Sequence, residues 1–224
     1  MAVSYRGYWT SHDRPYERGI DKDTEAAFRW TADLHRRRQV SAKSAPRPVV
    51  VFWGQSVGCG FATNLAAQTD VDFNLHIDGL VLETPFTNTR DMLKALYPQK
   101  WLPYQYLWPF LRNHLDSTRN LSMITSKQQH SILPQVHIIE GGKDELVPLT
   151  HGKELFQLSS SLGLSVHKET IRNALHNQVS TRPAGKQAIA NAILSILQRK
   201  TQGIHSPVPF TTAVHSLTSC ESDR

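Results

Sequence analysis

Gly54-Gln55-Ser56-Val57-Gly58 sets one serine between two glycines, behind the apolar run Val49-Val50-Val51-Phe52 and ahead of a helix-forming stretch from Phe61 to Gln68. A serine hydroxyl attacks a carbonyl only when a base removes its proton. A sharp strand-to-helix bend would present that hydroxyl, and such a bend needs small residues on both sides. The same bend would bring the Val57 backbone N–H to the start of the helix, where it can receive an oxyanion. Five residues alone carry little weight, because a glycine turn packing a helix on a sheet has the same pattern. The buried strand before and the helix after are what point to a nucleophile.

A nucleophile of this kind needs a base and an acid further along, in the order Ser, Asp, His. Asp144 lies just past an apolar run, in Gly141-Gly142-Lys143-Asp144-Glu145-Leu146-Val147-Pro148. A carboxylate there can orient an imidazole and stabilise its charged form; otherwise it is a loop aspartate capping a helix. Adjacent Glu145, and Glu83 at the end of another apolar run, are weaker candidates for the same role. The chain has 11 histidines. Only His176, in Asn173-Ala174-Leu175-His176-Asn177, follows the last strand-like run and precedes the final helical stretch. His151 and His167 fall in or near a helix and a strand, and His114 and His130 in an irregular region.

The elements that must position these groups alternate along the chain. A helix is expected from Glu17 to Arg38, with Ile20, Ala27, Trp30 and Leu34 on one face. Apolar runs at 49–52, 77–82 and 136–139 read as strands buried on both faces, and the more polar run 164–171 as a strand nearer an edge. Helical stretches at 149–162 and 183–199 separate or follow them. Strands alternating with helices mean a mostly parallel sheet of the α/β class. Residues 86–130 break the rhythm with Tyr97, Trp101, Tyr104, Tyr106, Trp108 and Phe110, and read as a cap-like insertion or as core packing. The expected organisation is one domain over residues 1–200 and a disordered tail over 201–224.

Composition narrows the functions. With 39% hydrophobic and 20% charged residues in 224, the chain reads as one globular domain. Cys59 and Cys220 make neither a disulfide framework nor a zinc site, and no pattern asks for a metal or cofactor. The net charge of +6 includes Arg36-Arg37-Arg38, read as a solvated helix end or, less simply, as a contact for an anionic partner such as a membrane surface. No nucleic-acid-binding motif accompanies it. There is no apolar stretch of transmembrane length and no signal-peptide pattern.

Taken together, Val3-Ser4-Tyr5-Arg6-Gly7-Tyr8, WGQSVG at 53–58, ETPFTN at 83–88, GGKDELVP at 141–148 and ALHN at 174–177 resemble the α/β-hydrolase superfamily. The branch they are most similar to is the bud-emergence type, related to the animal abhydrolase-domain proteins. The resemblance covers roughly residues 3–200, and it implies Ser56 as nucleophile, Asp144 as acid and His176 as base. It departs at Trp9-Thr10-Ser11, where that branch continues Gly-x-Ser, and at Gly58-Cys59, where two glycines are common. The resemblance also implies a membrane anchor, three strands and a His-Gly-type loop ahead of the part that matches Met1. The fold is therefore expected with its first strands missing, Val3–Tyr5 without neighbours on either side and Val49–Phe52 lacking one. That loop supplies a second oxyanion donor, and losing one such donor costs on the order of a hundred- to a thousandfold in rate. The implied activity is hydrolysis of esters or thioesters through an acyl-enzyme, on a small acyl or lipid-like substrate, with the full-length form on an intracellular membrane. Two other readings stand beside it: a catalytically impaired fragment or incomplete gene model, and a binding or scaffold protein on a hydrolase fold.

Overall fold

A computed structural model of the chain describes residues 1–41, 47–68, 76–99, 110–127 and 132–205, with 39–41 and 201–205 described by their backbone alone. The elements run α1 (Glu17–Ser41), β1 (Val51–Gln55), α2 (Val57–Gln68), β2 (Gly79–Glu83), α3 (Thr89–Leu96), α4 (Ser117–Lys127), β3 (Gln135–Gly141), α5 (Leu149–Ser161), β4 (Val166–Ile171) and α6 (Pro183–His205). The four strands form a parallel sheet in the order β1-β2-β3-β4. All four C-terminal ends therefore lie on one edge, where an open parallel sheet places its ligands.

Strand alternation sorts the side chains into two layers. Leu80 and Leu82 of β2, with Val136 and Ile138 of β3, face α2, α4 and α5 through Cys59, Ala66, Leu121, Ile124 and Leu155. Val81 and Ile139 face the opposite way, onto α6 through Ala188, Ile189, Ala192 and Ile196. The small alanines of α6 let it lie close to the sheet, and Gly79 has no side chain because a Cβ there would meet Ile196. Both faces of β2 and β3 are covered, which is why their sequences are continuously apolar. The more polar β4 is an edge strand with an exposed middle, as expected.

The structure corrects several expectations in detail. Trp30 does not share the inward face of α1: it is 59% exposed, while Ile20 and Phe28 are buried. The inward stripe leans toward Phe28, whose ring meets Phe52 of β1 edge-on at 5.2 Å. Val3–Tyr5 forms no strand. An open groove of about 980 Å³ is lined by Tyr5 of this segment, Ala27 and Phe28 of α1, and Val51 and Phe52 of β1. The last helix continues to His205, past the expected start of a disordered tail at 201; residues 206–224 lie outside the described ones.

The cap-like span 86–130 divides. Helix α4 is part of the core, with Leu121 and Ile124 packed under α2 against the sheet. Helix α3 buries none of its residues. Trp101, Tyr104, Tyr106 and Trp108 lie outside the described residues. Leu121 is 0% exposed, so Leu121→Ala should cost about 2–5 kcal/mol of stability by leaving a cavity. Urea unfolding would read this as a fall in midpoint at unchanged slope; a midpoint equal to that of the parent chain would mean that α4 lies outside the folding unit.

Candidate active site

The turn from β1 to α2 is built for exposure of one side chain. Ser56 takes a left-handed backbone conformation, φ 51°, which is unusual for a residue with a Cβ and recurs at functional turns. Its N–H donates to the Glu83 carbonyl oxygen at 2.8 Å, fastening the bend to the end of β2. Gly54 must be glycine, since a Cβ there would run into the backbone of Gly58. Helix α2 begins at Val57 rather than at Phe61, so the Val57 N–H belongs to the first turn, where backbone donors have no partner within the helix. Cys59 fills the small position behind the serine. Its thiol donates to the Gly54 and Glu83 carbonyl oxygens at 3.1 and 3.2 Å. It is wholly buried, and burial pushes its pKa far up, so it stays a thiol and offers no competing nucleophile.

Asp144 and His176 come together on the same edge of the sheet, one after β3 and the other after β4. The imidazole Nδ1 lies 2.8 Å from Asp144 Oδ2 and 3.0 Å from Oδ1. The two loops run backbone against backbone: Gly142 N–H donates to the Ile171 carbonyl at 2.9 Å, and Lys143 N–H to the Ala174 carbonyl at 3.0 Å. The glycine pair permits this approach. A Cβ on Gly141 would lie 2.6 Å from the Ala174 oxygen, and one on Gly142 2.6 Å from the Arg172 oxygen. Asp144 Oδ1 also accepts from Leu146 N–H at 2.9 Å and Val147 N–H at 2.8 Å, so the carboxylate is held by its own loop as well as by the imidazole.

Electrostatics follow from these contacts. Burial pushes the Asp144 carboxyl up, but the His176 hydrogen bond and the two backbone donors outweigh it and hold the group below its ordinary value. His176 is raised above its ordinary value. The hydrogen bond to Asp144 is the main cause, burial opposes it, and the charges of Asp144, Glu145 and Glu83 add to it. Neither weaker acid candidate holds the ring. Glu145 accepts instead from the His176 backbone N–H at 3.0 Å, a supporting role that no sequence signal marked. Glu83 is buried and bonded to other groups. His151, in α5, contacts Thr87 Oγ1 through Nδ1 at 2.9 Å, and His167 stacks on His137.

Ser56 stands on the same sheet edge as the pair, but among the described residues no hydrogen bond joins its Oγ to the imidazole. Catalytic contacts of this kind are often long in a ligand-free site. The described residues contain no cluster of three His, Cys, Asp or Glu groups placed to hold a metal ion.

No family model matches the chain. Human protein ABHD12B is 32% identical over 161 residues, covering 71% of this chain and 41% of that protein. The lysophosphatidylserine lipase ABHD12 of Danio rerio is 32% identical over 171 residues, 75% of this chain and 41% of that protein. The chain thus spans less than half the length of these relatives. Among solved structures, the butyrate-bound esterase Est2 of Thermogutta terrifontis matches with a TM-score of 0.60 at 16% identity, covering 88% of this chain and 70% of that one. An esterase of Pyrococcus furiosus matches with a TM-score of 0.57 at 16% identity, covering 87% and 67%. At these identities the structural likeness establishes the fold.

The Asp144 contact sets the sign of a titration. NMR of the His176 ring should give a midpoint above the ordinary 6.5, and Asp144→Asn should bring it down. Gly142→Ala should lower it too, by forcing the two loops apart. A midpoint at or below 6.5 in the parent chain would mean that the pair does not form in solution.

Proposed function

The chain belongs to the α/β-hydrolase superfamily, and we propose that it is a serine hydrolase of ester or thioester bonds using Ser56, His176 and Asp144. The observation that carries this reading is the His176 Nδ1–Asp144 pair, placed by strand order on the sheet edge that bears Ser56. Asp144 engages Nδ1, which leaves Nε2 to accept a proton.

In the proposed reaction His176 Nε2 takes the Ser56 proton as Oγ attacks the substrate carbonyl carbon. The carbonyl oxygen becomes an oxyanion and receives the Val57 N–H. Collapse expels the alcohol or thiol, which takes the proton from the imidazolium, and leaves an acyl-serine. Water then attacks that ester, His176 again carries the proton, and the carboxylic acid leaves. Asp144 holds the ring and stabilises its charged form throughout. Because His176 must be neutral to act as base, the rate should rise with pH through its raised midpoint.

The substrate class in this reading is a lipid-like acyl ester. The similarity to proteins named lysophosphatidylserine lipases supports a single-chain phospholipid as the first to try. Association with an intracellular membrane, implied for longer forms by the sequence resemblance, belongs to the same proposal. No helix among the described residues is long and apolar enough to cross a membrane.

A fluorophosphonate probe should label the folded chain at Ser56, and Ser56→Ala should abolish labelling. Asp144→Asn should slow turnover of a lysophosphatidylserine or short-chain thioester by about ten-thousandfold. A folded parent chain that takes no label would count against catalytic competence and for the impaired or scaffold reading.

A further inference from the structure

We infer that Glu83 is a positioning residue, whose buried carboxylate fastens the strand leading to Ser56 to the loop carrying His176 and sets a further negative charge near the imidazole. The inference rests on the hydrolase reading for its catalytic meaning, but its contacts stand independently of it.

The sheet register puts Gln55 of β1 directly beside Glu83 of β2, and Trp53 beside Val81. Alternation then turns Trp53, Gln55, Val81 and Glu83 to one face, the face toward α6. On that face Glu83 Oε1 accepts from Gln55 Nε2 at 3.0 Å, and Oε2 accepts from Trp53 Nε1 at 3.2 Å. The Ser180 backbone N–H, four residues past His176, donates to Oε1 at 2.9 Å. Meanwhile the Glu83 carbonyl oxygen accepts from Ser56 N–H. One residue thus holds the serine bend by its backbone and the histidine loop by its side chain.

The group is 1% exposed. A buried carboxylate is costly unless its oxygens are bonded, and here all three donors are neutral. The charge is therefore not cancelled by those partners. It acts on His176, in the direction that favours the imidazolium formed when the base takes the serine proton. Glutamine cannot replace it. All three partners donate, so an amide must set its NH₂ against the Trp53 or the Ser180 N–H, whichever way it turns.

The test compares the full chain with Glu83→Gln by three readouts. Amide exchange at Ser180 should quicken about tenfold on loss of a hydrogen bond to a charged group. The His176 NMR midpoint should fall. Fluorophosphonate labelling of Ser56 should slow by about ten- to a hundredfold through misplacement of the two loops. An unchanged Ser180 exchange rate, an unchanged His176 midpoint or an unchanged labelling rate in a folded variant that labels in its parent form overturns the proposal. If Glu83→Gln does not fold, Gln55→Met carries the test, since it removes one donor and keeps the charge. It should slow labelling, or quicken Ser180 exchange, by about threefold or more for part of one hydrogen bond, with the His176 midpoint held; parent behaviour in both overturns the proposal. If the parent chain takes no label, the hydrolase reading fails, and Ser180 exchange and the His176 midpoint still decide the role of Glu83.

Discussion

Backbone contact between two loops underlies the candidate site. Gly142 and Lys143 donate to carbonyls of β4's last residue and the segment after it, and the missing Cβ atoms of Gly141 and Gly142 let the chains come so near. That contact brings Asp144 within 2.8 Å of His176. Parallel pairing of β3 with β4 sends both loops off the same edge, so the acid and the base meet without a long excursion of either chain.

Negative charge is concentrated around one imidazole. Asp144 holds the ring and Glu145 holds the backbone N–H of the same residue. Glu83 adds its charge from the neighbouring strand while bonded to Trp53, Gln55 and Ser180. Each carboxylate has its own donors: the Leu146 and Val147 N–H groups for Asp144, the His176 N–H for Glu145, and Trp53, Gln55 and Ser180 for Glu83. The result favours the imidazolium, the state a general base passes through.

The sheet supplies rigidity on both sides of this edge. Leu80 and Leu82 are locked on the α2 side, and Val81 on the α6 side, so the Glu83 end of β2 has little freedom. The Ser56 N–H and the Cys59 thiol both bond to that end, tying the serine bend to a fully buried strand. Cys59 illustrates a role set by surroundings. A cysteine next to a candidate nucleophile could react, but complete burial beside carbonyl oxygens leaves it a packing group.

Much of this was legible from residue types in order. Continuous apolar runs mark strands covered on both faces, and Gly-x-Ser-x-Gly between a strand and a helix marks a bend, because local sterics and solvent exclusion act on neighbouring residues. That Asp144 and His176 each follow a strand was legible, but not that their side chains meet. Nothing in the order of residues, however, could reveal that Glu145 grips the His176 backbone or that Glu83 reaches Ser180, since those contacts join segments dozens of residues apart. The lean of α1 toward Phe28 and the burial of α4 were equally hidden. A helical stripe has several admissible centres, and which one turns inward depends on the partner ring at Phe52. By itself the sequence determined the alternation of elements and the identity of the bend, which are local properties of the chain. Tertiary structure alone decided which acid holds the ring, which holds the loop and which braces the strand, because hydrogen bonds depend on distance in space and not on separation along the chain.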